Sequence, residues 1–110
     1  MSYKVEFTKH GPGGNITYLE GGKPLSFEWG YNTKGIEIAV PSPYEWDSYC
    51  EEKDANWAKG RRQEILEIIA KEYCRQRMKK GIWRITDYWI LVSFEKALLD
   101  KLVRWIFGDK

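Results

Sequence analysis

The sequence predicts an α+β domain built on an antiparallel sheet, and three observations carry that expectation. Residues 3–40 alternate apolar and polar side chains in short runs broken by glycine, the pattern of half-buried strands. Gly21–Gly22 joins two of those runs as a two-residue hairpin turn would. From Asn56 to Gly81 the apolar period lengthens to that of an amphipathic helix. At 110 residues the chain reads as a single domain, 1–110, long enough to bury a core.

The strands come first. Tyr3 to Thr8 places Tyr3, Val5 and Phe7 on one face, and a glycine-rich loop from Lys9 to Gly14 follows. Asn15 to Glu20 and Lys23 to Tyr31 flank Gly21–Gly22, which sets Glu20 against Lys23, Tyr18 against Leu25 and Ile16 against Phe27. A loop from Asn32 to Gly35 pairs Tyr31 with Ile36, Trp29 with Ile38 and Phe27 with Val40. Each of these loop lengths puts apolar residues on the same side, so the reading is a four-stranded antiparallel meander with one dry face.

The helices follow. Ser42–Pro43–Tyr44–Glu45 has the form of a capping box with proline at the first helical position. The short helix after it carries Trp46, Tyr49 and Cys50 on one side. Lys53 to Asn56 interrupts it. The long helix then runs from Asn56, as N-cap, to Gly81 just past its end, with a stripe through Ala58, Arg62, Ile65, Leu66, Ile69, Tyr73 and Gln76. Ile82 to Val92 reads as one long irregular strand, because Asp87–Tyr88 is a poor tight turn. Tyr88 to Val92 is apolar on both faces and is expected to be covered on both. Ser93 is placed to cap a last helix over 94–107. The expected architecture is therefore the meander with helices on one face, a further strand and a C-terminal helix.

Charge is distributed unevenly. The net charge is +2, yet residues 37–54 hold six acidic residues and one lysine, and residues 59–84 hold nine basic residues and three glutamates. The two cysteines, Cys50 and Cys74, form neither a CxxC motif nor a disulfide framework. The N-terminus has no apolar signal core, and no run approaches membrane-spanning length. These features predict a cytoplasmic protein with reduced thiols, monomeric or homodimeric, and with no membrane partner.

Candidate sites are few. His10 is the only histidine, and its glycine-rich stretch lacks the GK[ST] ending of a phosphate loop. One histidine and two separated cysteines give no metal-ligand cluster, so neither metal nor cofactor is expected. The acidic neighbours of Cys50 oppose a thiolate. Arg61 and Arg62 stand out, because Arg62 falls on the apolar stripe, where a charge must snorkel, pair or bind. Trp57 lies one turn before Arg61, so tryptophan and arginine share a patch, a composition enriched at binding hot spots. The expected internal partners for the arginines are Asp47 and Glu51 on the short helix. Arg75, Arg77, Lys79, Lys80 and Arg84, with Trp83, form a basic cluster at the far end of the long helix.

The function expected from these features is a small non-enzymatic interaction module, regulatory or inhibitor-like, that binds a protein through a charged, aromatic-rich surface at Trp57, Arg61 and Arg62. Binding of single-stranded nucleic acid through the basic helix end is the alternative. An enzyme working by carboxylate acid–base chemistry comes third, because no nucleophile–base constellation is visible.

Overall fold

The computed structural model describes residues 2–93. Four strands come first: β1 (Tyr3–His10), β2 (Gly13–Glu20), β3 (Lys23–Asn32) and β4 (Gly35–Ala39). Two helices follow, α1 (Trp46–Glu52) and α2 (Arg62–Arg77), with a single 3-10 turn, Asn56–Ala58, between them. β5 (Ile82–Ile85) and β6 (Trp89–Ser93) complete the sheet. Its order is β1-β2-β3-β4-β6-β5, antiparallel throughout.

The meander follows the expected register. Glu20 pairs with Lys23, Tyr18 with Leu25 and Ile16 with Phe27. Phe7 pairs with Ile16 and Val5 with Tyr18, while Trp29 pairs with Ile38 and Tyr31 with Ile36. Gly21 and Gly22 have φ of 58° and 82°, the left-handed conformations that a hairpin turn of this hand demands and that glycine adopts without steric cost. One pair differs. The β3–β4 ladder ends at Trp29–Ile38, so Val40 does not pair with Phe27; its amide instead donates to the carbonyl of Tyr88 at 3.0 Å. The strands also run further into the turns than expected, leaving Gly11–Pro12 and Thr33–Lys34 as the connections.

The buried face of the sheet carries Val5, Ile16, Tyr18, Leu25, Phe27, Trp29, Ile36, Ile38, Ile90 and Val92. Against it lie Trp46 and Cys50 of α1 and Ile65, Leu66, Ile69 and Tyr73 of α2. Ile65, Leu66 and Ile69 are fully buried, which stabilises the helix on the sheet by about 1.5–3 kcal/mol apiece. The expected capping box is not made as such: α1 begins at Trp46 with Glu45 as its N-cap, so Pro43 lies in the preceding turn, where Ser42 Oγ donates to Glu45 Oε1 at 2.8 Å and accepts from the Glu45 amide at 3.3 Å. Trp46 Nε1 donates to the carbonyl of Ala58 at 2.9 Å. That bond ties α1 to the 3-10 turn and satisfies a buried indole.

Three expectations are corrected. The stretch from Asn56 to Gly81 is not one helix. Gly60 has φ +72°, which breaks it after the 3-10 turn, and α2 ends at Arg77 with Met78 as its C-cap rather than running to Gly81. Residues 82–92 are not one strand but a hairpin. Its turn closes through Thr86, whose amide donates to the Trp89 carbonyl at 2.8 Å and whose Oγ accepts from the Trp89 amide at 3.1 Å. β6 is also not equally covered on both sides: Ile90 and Val92 are buried, whereas Trp89 is 40% exposed on the opposite face. The expected helix over 94–107 lies outside the described residues. No helix among the described residues is long and apolar enough to cross a membrane.

Candidate functional site

The two ends of α2 present different chemistry. At its N-terminal end the backbone leaves the left-handed Gly60 and enters the helix through Arg61, so Arg61 and Arg62 diverge to opposite sides. Arg61 turns toward the end of β2. Its Nη1 and Nη2 donate to Glu20 Oε2 and Oε1, both at 2.8 Å. Nε and Nη2 also donate to Glu64 at 3.2 and 2.8 Å, and Nη1 reaches the Trp57 carbonyl at 3.4 Å. Those bonds occupy all of the guanidinium's donors. The Arg61 fork holds the Glu20 carboxyl down to about 2 despite its partial burial, and Tyr18 Oη adds a bond to the same carboxylate at 2.7 Å. Burial, helped by Glu20, pushes the Tyr18 hydroxyl up to about 12, so it stays a donor.

Arg62 turns the other way and meets carbonyls only. Nε donates to Pro41 at 2.8 Å, and Nη2 donates to Thr86 at 2.8 Å and Asp87 at 2.9 Å. It therefore joins three segments: the start of α2, the strand-to-helix connection at Pro41, and the β5–β6 turn. Burial lowers its pKa, with the charge of Asp87 opposing. The expected ion pairs with Asp47 or Glu51 are not made. The acidic helix does meet the basic segment, but through Lys59, which bridges to Glu51, and through the Gly60 amide, which donates to Asp47 Oδ1 at 2.9 Å. The cause is the break at Gly60, which swings Lys59 toward α1 and sends both arginines elsewhere. Trp57 is half-buried, and its ring stacks on Tyr18 at 6.1 Å between centroids.

At the C-terminal end of α2, aromatic rings at the rim of the core meet two surface cations. Phe7 meets Tyr73 edge to face at 4.9 Å, and Trp29 meets Tyr31 edge to face at 5.1 Å. Lys9 Nζ lies 5.6 Å from the Tyr31 centroid, and Arg77 Cζ lies 5.6 Å from that of Phe7. Together these six residues line a notch of about 100 Å³. Among the described residues, neither Lys9 nor Arg77 has a carboxylate partner. Gly14 makes the arrangement possible. It sits between Lys9 and Trp29 in the paired strands, and its bare Cα lets the Trp29 indole cross β2 to donate to the Thr8 carbonyl at 3.1 Å.

Of the expected basic cluster, Arg77 alone lines the notch, and the aromatic expected beside that cluster is Trp83. Trp83 lies half-buried on the inner face of β5, and Arg75 is tied to Glu72 at 2.8 Å. The signal that identifies the notch is periodicity. Lys9 continues the inward face of Val5 and Phe7, Tyr31 continues that of Phe27 and Trp29, and Arg77 follows Tyr73 by one helical turn.

Other candidates are chemically quiet. Burial pushes the Cys50 thiol up to about 11, with Asp47 adding to it, and both cysteines are free. His10 ends β1 at the surface. Among the described residues no cluster of three or more His, Cys, Asp or Glu side chains is placed to hold a metal ion. The Glu20, Glu64 and Glu72 carboxyls are all shifted downward by arginine partners, so each stays ionised as an acceptor. No protein-family profile matches the chain, and comparison with curated proteins and with solved structures returns no match.

Proposed function

We propose that this chain is a small interaction module, without chemistry of its own, that binds another protein. The observation that carries the reading is the notch at the end of α2. There the buried rings of Trp29 and Tyr73, the partly exposed rings of Phe7 and Tyr31, and two cations without carboxylate partners among the described residues converge. Aromatic residues and arginine dominate the energetics of protein interfaces, and an apolar notch flanked by cations suits an apolar side chain next to acidic ones. Trp57, Arg61 and Arg62, expected to form one patch, support the same function less strongly, because the two arginines turn apart, Arg61 has no donor left for a partner and Arg62 is committed to three backbone carbonyls.

Single-stranded nucleic acid is the second reading, favoured by the same meeting of cations and rings. Base stacking needs open ring faces, however, and Lys9 and Arg77 lie over those of Tyr31 and Phe7. For a carboxylate enzyme, Glu20, Glu64 and Glu72 are poor general acids, because arginine partners shift each of them downward.

The test is affinity capture from the native cell with three baits of equal fold: the wild type, Tyr31→Ser with Arg77→Glu, and Trp57→Ser. A protein retained by the wild type and by Trp57→Ser but lost from the double variant supports the notch. Loss from Trp57→Ser alone moves the binding surface to the other end of α2. Capture of nucleic acid in place of protein overturns the proposal.

A further inference from the structure

The notch opens onto a free sheet edge. β1 stands at the end of the strand order, so among the described strands it has a neighbour on one side only. It is eight residues long and contains no proline, whereas β5 at the opposite edge has four residues. In an antiparallel strand the amide and carbonyl of a residue point to the same side, and the side alternates along the chain. The Val5 carbonyl points away from β2, because it accepts from Gln76 Nε2 of α2 at 3.4 Å. By that alternation Tyr3, Val5, Phe7 and Lys9 offer their backbone groups outward.

The Gln76 contact is long for a hydrogen bond to a carbonyl, and the same amide donates to Glu72 Oε2 at 3.1 Å. It supplies Val5 with a weak version of what the N–H of a further strand would give. Between residues 3–7 of β1 and the α2 residues Glu72, Arg75 and Gln76 runs an open groove of about 580 Å³. The groove and the notch share Phe7.

We infer that β1 accepts an extended acidic segment of a partner protein as an added strand, with one apolar side chain of that segment seated in the notch. The inference rests on the protein-binding reading above and specifies its form. Backbone pairing with a sheet edge gives affinity, and pockets for alternate side chains give specificity. Charge selects the occupant. Glu6 pairs with Lys4 and Glu72 with Arg75, which among the described residues leaves Lys9 and Arg77 without a carboxylate partner beside the groove. A basic segment is repelled there. A second copy of this chain would offer a β1 edge that carries Lys4 and Lys9 rather than the acidic residues that Lys9 and Arg77 favour.

The experiment selects random dodecapeptides displayed on phage against the folded full chain, then measures the enriched peptides by titration and by amide chemical shifts. Enrichment of acidic sequences with alternating apolar residues is expected, with shifts at Tyr3, Val5, Phe7 and Lys9. N-methylating alternate amides of an enriched peptide should weaken it about tenfold in one of the two phases and hardly in the other. Lys9→Pro removes an outward amide without touching the β1–β2 ladder. It should weaken binding more than Lys9→Gln, which removes only the charge. If both methylation phases bind as well as the parent, strand addition falls while notch binding stands. Enrichment of basic peptides, no enrichment at all, or self-association through β1 seen in sedimentation would overturn the inference.

Discussion

Arg61 grips Glu20 as a two-point fork, each guanidinium nitrogen 2.8 Å from its own carboxylate oxygen, with the Arg61 and Glu20 side chains 22% and 13% exposed. The pair fastens the end of the β2–β3 hairpin to the entrance of α2, elements far apart in sequence. Bidentate pairs of this kind are stronger than ordinary surface ion pairs.

The pH dependence follows from that fork. Glu20 is lowered from 4.5 to about 2, so its contribution to stability is complete above pH 4.5 and is lost as pH falls through about 2. Glu20→Gln should cost about 2 kcal/mol at pH 7 and almost nothing near pH 2. Denaturant melts of both proteins across that range are the check. A gap that stays constant with pH would show that Glu20 acts by packing rather than by charge.

Arg62 should behave as a structural clamp. Arg62→Met leaves the carbonyls of Pro41, Thr86 and Asp87 without their donor and should destabilise the fold by about 2–4 kcal/mol. Arg62→Lys should recover only part, because an ammonium cannot span the same acceptors as a planar fork. Hydrogen exchange should quicken first in the β5–β6 turn. Charge reversal at Arg62 combined with reversal at Asp47 or Glu51 should add without coupling, within about 0.5 kcal/mol; measurable rescue would contradict the geometry.

Thiol chemistry gives a third expectation. Cys50 is fully buried and its thiol is pushed up to about 11, whereas Cys74 is partly accessible. A neutral aromatic disulfide reagent at pH 8 should modify Cys74 in the native protein and reach Cys50 only on unfolding. Fast native labelling of Cys50 would show an opening that the packing does not contain.

Gly14 is a fourth test. A Cβ built there would stand 1.9 Å from the Thr8 carbonyl oxygen, which is backbone and cannot swing aside. Gly14→Ala should therefore force β1 from β2, cost about 2–3 kcal/mol, and loosen Trp29 from Thr8. A red shift of tryptophan emission with faster amide exchange along the β1–β2 ladder is the expected signature.

The meander was legible because a strand's period of two couples each turn length to a face, so Gly21–Gly22 alone constrained both β2 and β3. Apolar spacing hid the break at Gly60, because Ala58 and Arg62 keep helical separation across it. The β5–β6 turn was hidden for a different reason. Thr86 closes it with a side chain in place of a glycine, and Arg62 holds its carbonyls from across the fold. At the candidate site, Arg61 was visible as an unusual residue, but its partner was not, since nothing local joins it to Glu20. The notch rings were each placed on the right face, yet their convergence with Arg77 depends on how α2 crosses the sheet.

The strand order has a kinetic consequence. β1 to β4 meet through short turns, but β6 reaches β4 only after the chain has passed through both helices. Loop-closure entropy opposes that late pairing and grows with the length of chain enclosed, so the hairpin around Gly21–Gly22 should form in the folding transition state and the β4–β6 seam after it. Leu25→Ala should then mainly slow folding, while Val92→Ala should mainly speed unfolding. On this account the sheet zips from its glycine turn and is stitched shut last along Ile36–Val92, the seam at which unfolding would start.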